Sequence, residues 1–140
     1  MMDINLSFIE NKGPVFDKVI RTEKDLSKIE KIHNIEKLDY VFNTIKLLKK
    51  ELAGKKPLIG FIGSPWTVAT YVIEGNSSKI FTNVLKMLKH DEKLLHKILD
   101  MLTNISIDYL NKQIESGIDV AMIFDTWGSL LNDELSLIHI

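Results

Sequence analysis

Between Ile35 and Leu52, apolar side chains fall at Leu38, Val41, Phe42, Ile45, Leu48 and Leu52. That 3.6-residue spacing predicts an amphipathic helix with one face against a core. Gly54 supplies its stop, and Lys49 and Lys50 lie in the last turn, where the helix dipole favours cations. The pattern then changes. Pro57-Leu58-Ile59-Gly60-Phe61-Ile62-Gly63 is a short unbroken apolar run, which predicts a strand covered on both faces, as in parallel sheets. Ser64 and Pro65 next offer the N-cap and first residue of a helix running through Tyr71 to Glu74-Gly75-Asn76. Ser77-Ser78 opens another, with Phe81, Val84, Leu85 and Leu88 on one face. The strongest period spans Asp91 to Ser116, where Leu95, Leu99, Leu102, Ile105, Tyr109 and Leu110 form a stripe. Asp91 is its natural N-cap and Gly117 its end. Ile118 to Asp125 is a second strand of the buried kind, and Thr126-Trp127-Gly128 turns away from it.

The first 36 residues are less patterned. Asn5 to Ile9 alternates as a short strand would, and Asn11-Lys12-Gly13-Pro14 is a turn signal. Thr22, with Asp25 three residues on, caps a short helix. Buried strands joined by long helical connections predict α/β architecture. Two strands alone make a poor parallel sheet, since each keeps an unpaired edge. Either the domain is unusual or the chain is a piece of something larger.

Composition narrows the function classes. The 140 residues carry 18 basic and 19 acidic groups, a net charge of −1, which removes the electrostatic case for nucleic acid or an anionic membrane. With no cysteine there is no disulfide scaffold, no thiolate nucleophile and no cysteine-ligated metal. No apolar run approaches the ~20 residues of a membrane span, and the N-terminus lacks signal-peptide order. The expectation is a cytoplasmic protein. Of the basic residues, 17 are lysines and one is Arg21, so only one planar fork is available to grip a carboxylate.

In parallel α/β folds, reactive groups gather at the carboxyl ends of strands. Here those places hold Gly63, Ser64, Trp66, Thr67 and Tyr71, then Asp125, Thr126 and Trp127. Loops rich in aromatics and hydroxyls and poor in catalytic bases suit a pocket for a large flat ligand. Each residue also has a plainer reading. Tyr71 serves equally as a boundary tyrosine, Thr126 or Asp125 as a helix cap, and Trp66 and Trp127 as packing residues. Gly60 and Gly63 do not make a phosphate loop, because the third glycine and the lysine are missing. His33, His90, His96 and His139 are scattered, without metal-ligand spacing.

The block from Pro57 to Gly75 resembles uroporphyrinogen decarboxylase. So do Ser77-Ser78-Lys79, Leu94-Leu95-His96, Tyr109 to Ile114, and Val120-Ala121-Met122-Ile123-Phe124-Asp125-Thr126-Trp127-Gly128. The resemblance covers roughly residues 5 to 131, but only the middle of the family's sequence. It implies a partial (β/α)8 TIM barrel, central section only, with residues 1–140 a single incomplete domain. It further implies a homodimeric enzyme removing the four acetate carboxyl groups of uroporphyrinogen III to give coproporphyrinogen III, with no metal or organic cofactor. By matching motif, Tyr71 and Thr126 would contact substrate, and Phe61 and Phe124 would line the pocket. The family's arginine motif and pocket aspartate fall before Met1. Its late histidine falls after Ile140, and His139 follows the Thr126 block too closely to be it. The tail from Asn132 to Ile140 leaves the resemblance. The chain alone is therefore expected to be inactive, either as a non-catalytic remnant or as one half of a split enzyme needing a complementary chain. The corrinoid-dependent methyltransferase branch of the superfamily uses a cysteine- and histidine-ligated zinc, which a chain without cysteine disfavours.

Overall fold

Local signals set most of the helix ends. In the computed structural model, which describes residues 6–10, 13–30, 34–76 and 80–131, nine regular elements follow one another. They are β1 (Leu6–Ile9), β2 (Gly13–Phe16), α1 (Glu23–Glu30), α2 (Asp39–Leu52), β3 (Ile59–Gly63), α3 (Pro65–Glu74), α4 (Thr82–His90), α5 (Glu92–Glu115) and β4 (Val120–Phe124). Thr22 Oγ1 accepts from Asp25 N to start α1. Ser64 Oγ accepts from Thr67 N at 3.0 Å to start α3, with Pro65 in its first turn. Asp91 Oδ1 accepts from Leu94 N to start α5. Gly75 and Gly117, both at positive φ, follow the ends of α3 and α5.

Three departures from the pattern have local causes. A 3₁₀ turn at Ile35–Leu38, capped by Asn34, precedes α2, so the α-helix proper begins at Asp39. The left-handed residue closing α2 is Ala53 (φ 47°), with Gly54 the next position also at positive φ. On α4 the buried positions are Val84 and Met87, while Leu85 faces outward. The expected start of that helix at Ser77-Ser78 lies outside the described residues, as do Asn11 and Lys12 of the turn signal and the tail 132–140.

The core lies among the helices. Ala69, Val72 and Ile73 of α3, Val84 and Met87 of α4, and Leu94, Leu95, Ile98 and Leu102 of α5 form one cluster, closed at one side by Ile20, Leu26 and Ile29. The α4 N-terminus lacks a cap from its own preceding residue, Phe81. Glu74, at the end of α3, supplies it instead. Its Oε1 accepts from Asn83 N (2.7 Å) and Val84 N (2.9 Å), and its Oε2 accepts from Asn83 Nδ2 (2.8 Å). β1 and β2 pair antiparallel, and Phe16 N donates to Gly75 O, which fastens the hairpin to the far end of α3.

β3 and β4 pair in parallel, from Ile59 opposite Val120 to Gly63 opposite Phe124. The fold is mixed α/β. Burial corrects the expectation of strands covered on both faces: every residue of β4 is exposed, and only Gly60 of β3 is buried. An unbroken apolar run reports the surroundings for which a strand is suited. Among the described residues β3 and β4 pair only with each other, and β3 rests on α5, with Gln113 of that helix and Ile118 beyond its end crowding Gly60. A Cβ at Gly60 would come within 2.6 Å of both side chains.

At the amino ends of the two strands, Asp119 Oδ2 accepts from Leu58 N (2.9 Å), and Lys49 Nζ donates to Oδ1. The backbone hydrogen bond from Leu58, then the lysine, hold the Asp119 carboxyl below the usual aspartate range. A depressed folded-state value means the contribution is present above the unfolded value near pH 4 and is lost as pH falls through the folded one. Acid unfolding of the wild type should therefore show a component below about pH 4 that Asp119→Asn removes. Identical acid-unfolding profiles for the two proteins would count against this anchor.

Candidate functional site

The carboxyl ends of β3 and β4 meet the N-terminus of α3. Ser64 N donates to Phe124 O (2.7 Å), which carries the strand pairing one residue beyond β3. Ser64 then turns the chain into α3, and the first turn of that helix faces the segment Asp125-Thr126-Trp127. Asp125 Oδ1 accepts from Ser64 Oγ (2.5 Å) and from Thr67 Oγ1 (2.8 Å). Trp127 N donates to Thr67 Oγ1 (3.3 Å), and Trp66 Nε1 donates to Trp127 O (2.8 Å). The Trp127 ring meets Tyr71 edge-on, with centroids 6.4 Å apart, and lies 4.7 Å from Phe81. Its Nε1 is buried without a hydrogen-bond acceptor among the described residues.

The four residues expected to line a pocket fall in two pairs. Tyr71, half-buried on α3, meets the ring of Trp127, and Thr126, exposed beyond β4, is the residue before that tryptophan. Phe61 and Phe124 pack edge to face on the strand pair, centroids 5.8 Å apart, and are 62% and 49% exposed. The plainer reading of Asp125 as a local helix cap is replaced by one in which it holds the hydroxyls of Ser64, the N-cap of α3, and Thr67, 61 and 58 residues away. A second residue missed in the sequence is Gln113, buried on α5, whose Nε2 donates to Phe61 O (3.2 Å) across the helix–strand contact. A polar residue inside the apolar stripe of α5 was the only signal for it.

The one guanidinium lies elsewhere. Arg21 Nε donates to Ile73 O and its Nη2 to Glu74 O, both at 2.9 Å, so it serves the carbonyl end of α3. Beside it an open cleft of about 250 Å³ is lined by Arg21, Asn83, Lys86, Met87, His90 and Asp91. That cleft is at the opposite end of α3 from Ser64 and Asp125. His96, on the outer face of α5, pairs with Glu92 (3.5 Å) as its spacing predicts.

A parallel strand pair, joined through helices and carrying hydroxyls and aromatics at its carboxyl ends, places this chain among α/β proteins whose sites are built from the loops after the strands. Residues 1–135 match the family described as Uroporphyrinogen decarboxylase (URO-D). The chain belongs to the uroporphyrinogen decarboxylase family. It is 45% identical over 133 residues to the uroporphyrinogen decarboxylase of Ruthia magnifica, covering 95% of this chain and 38% of the relative. With that of Vibrio campbellii it shares 47% over 130 residues, covering 93% and 37%. With that of Campylobacter jejuni strain 81116 it also shares 47% over 130 residues, covering 93% and 38%. The chain thus spans well under half the length of these relatives. Among solved structures, a methyltransferase from Methanosarcina mazei superposes with a TM-score of 0.66 at 21% identity, over 98% of this chain and 40% of that one, a likeness of fold. No helix among the described residues is long and apolar enough to cross a membrane.

Proposed function

We propose that this chain is the central section of a uroporphyrinogen decarboxylase barrel and carries one wall of its substrate pocket. The reaction is removal of the four acetate carboxyl groups of uroporphyrinogen III, giving coproporphyrinogen III, in the cytoplasm and without a metal or organic cofactor. Family membership over residues 1–135 is the observation that carries this reading. The outer edges of β3 and β4, unpaired among the described residues, fit it, because a (β/α)8 barrel would continue the sheet on both edges. Phe61 and Phe124 would meet the flat ring, while the hydroxyls of Tyr71 and Thr126 would orient its polar groups. The cationic forks that eight carboxylates need would come from other parts of the barrel, since Arg21 is occupied at the end of α3. In the family the assembled barrel is a homodimer, and a complementary chain would be this section's partner.

The chain alone is expected to yield no coproporphyrinogen. In a chimera, residues 5–131 would replace the matching segment of the Campylobacter jejuni relative, and the reading expects decarboxylation. Tyr71→Phe and Thr126→Ala should each lower kcat/KM about tenfold, the worth of one hydrogen bond in a closed site, with unchanged far-ultraviolet circular dichroism. A folded but inactive chimera would instead favour a non-catalytic remnant.

A further inference from the structure

Ser64 and Thr67 use their hydroxyls in the same way. Ser64 Oγ donates to Asp125 Oδ1 and accepts from Thr67 N; Thr67 Oγ1 donates to the same oxygen and accepts from Trp127 N. A hydroxyl has one proton to give. A carboxylate, which only accepts, directs both protons toward itself and leaves a lone pair of each oxygen facing a backbone N–H. One oxygen of Asp125 therefore sets the polarity of four hydrogen bonds, three that join the segment after β4 to the start of α3 and one that caps α3 itself. Thr126 lies between two residues tied in this way, and Tyr71 lies on the tied helix with its ring against Trp127.

We propose that Asp125 is a positioning residue, whose carboxylate fixes Thr126 and Tyr71 relative to each other at the mouth of the pocket. This rests on the substrate-pocket reading and adds to it the group that holds the two hydroxyls in register. A Cβ at Gly128 would approach Asp125 Oδ2 to 2.5 Å, so only glycine leaves the carboxylate undisturbed there.

The test uses the Campylobacter jejuni chimera described above, which supplies the rest of the barrel, and uroporphyrin III, the oxidised ring of the substrate, titrated by quenching of tryptophan fluorescence. Asp125→Ala should weaken binding about tenfold. Asp125→Asn, which keeps one acceptor oxygen, should recover most of that loss, and Gly128→Ala should reproduce part of it. In a chimera already carrying Ser64→Ala and Thr67→Val, Asp125→Ala should change binding less than twofold, because the hydroxyls it orients are gone. The near-ultraviolet dichroism of Trp127 should follow binding rather than the melting temperature. Full-strength binding by Asp125→Ala, while Tyr71→Phe and Thr126→Ala bind weakly, would overturn the clamp and leave the pocket reading standing. An Asp125→Asn protein that binds as poorly as Asp125→Ala, with its melting temperature lowered in parallel, would reduce Asp125 to a structural role and also overturn it. If the unsubstituted chimera fails to bind, or its Asp125→Ala, Tyr71→Phe and Thr126→Ala variants all bind as it does, the pocket reading fails and the clamp fails with it.

Discussion

Glu74→Ala should destabilise the chain by about 3 kcal/mol, measured by urea unfolding. Glu74 is a buried carboxylate, 7% exposed, and three donors point at it: the backbone N–H groups of Asn83 and Val84, and the Asn83 amide. Alanine leaves two backbone donors of the first turn of α4 without a partner. A buried donor left unpaired costs ~1–3 kcal/mol, and hydrogen bonds to a charged group lie toward the upper end of the usual range. Water reaching Asn83, which is half-buried, offsets part of this. Glu74→Gln retains an acceptor and should recover at least half of the loss. A change below ~1 kcal/mol for alanine would show that α4 starts without this cap.

Trp66→Ala should cost still more, about 3–5 kcal/mol. Trp66 is 2% exposed in the central cluster, and its indole N–H donates to Trp127 O. The two contributions separate by substitution. Trp66→Phe keeps most of the apolar volume and loses the hydrogen bond, so it should cost ~1–2 kcal/mol. Equal losses for Phe and Ala would mean that the hydrogen bond, rather than core volume, dominates at this position.

Elements governed by near neighbours were legible in the sequence. Ser64, Pro65, Asp91 and Gly117 act within four residues of themselves, and each stands at the helix boundary that its chemistry predicts. The strand positions of β1, β3 and β4 were legible for the same reason, through alternation or an unbroken apolar run. What the runs could not disclose was cover, because burial depends on which neighbours are present. Glu74 looked like part of a stop signal before Gly75, yet its partners are nine and ten residues ahead, at the start of another helix. Asp125 looked like a local cap, yet its partners lie 61 and 58 residues back. Arg21 drew attention as a lone carboxylate-gripping fork, yet its donors meet two backbone carbonyls. The candidate residues themselves came from motif likeness. Periodicity marks Tyr71 as one helical tyrosine among three tyrosines in the chain, and it cannot know that Trp127 lies against it.

The 61-residue span between Ser64 and Asp125 also has a kinetic meaning. Bringing such distant segments together costs about 3.6 kcal/mol of loop entropy, before any constant is added. The helices between them meet through much shorter loops, as the nine-residue reach from Glu74 to Asn83 illustrates. A low-contact-order helical unit is therefore expected to assemble first, and the β3–β4 ladder to close last, once α3 through α5 have brought its ends within reach. Asp125, Ser64 and Thr67 form the seam sealed in that final step. Substitutions there should speed unfolding and leave the refolding rate almost unchanged.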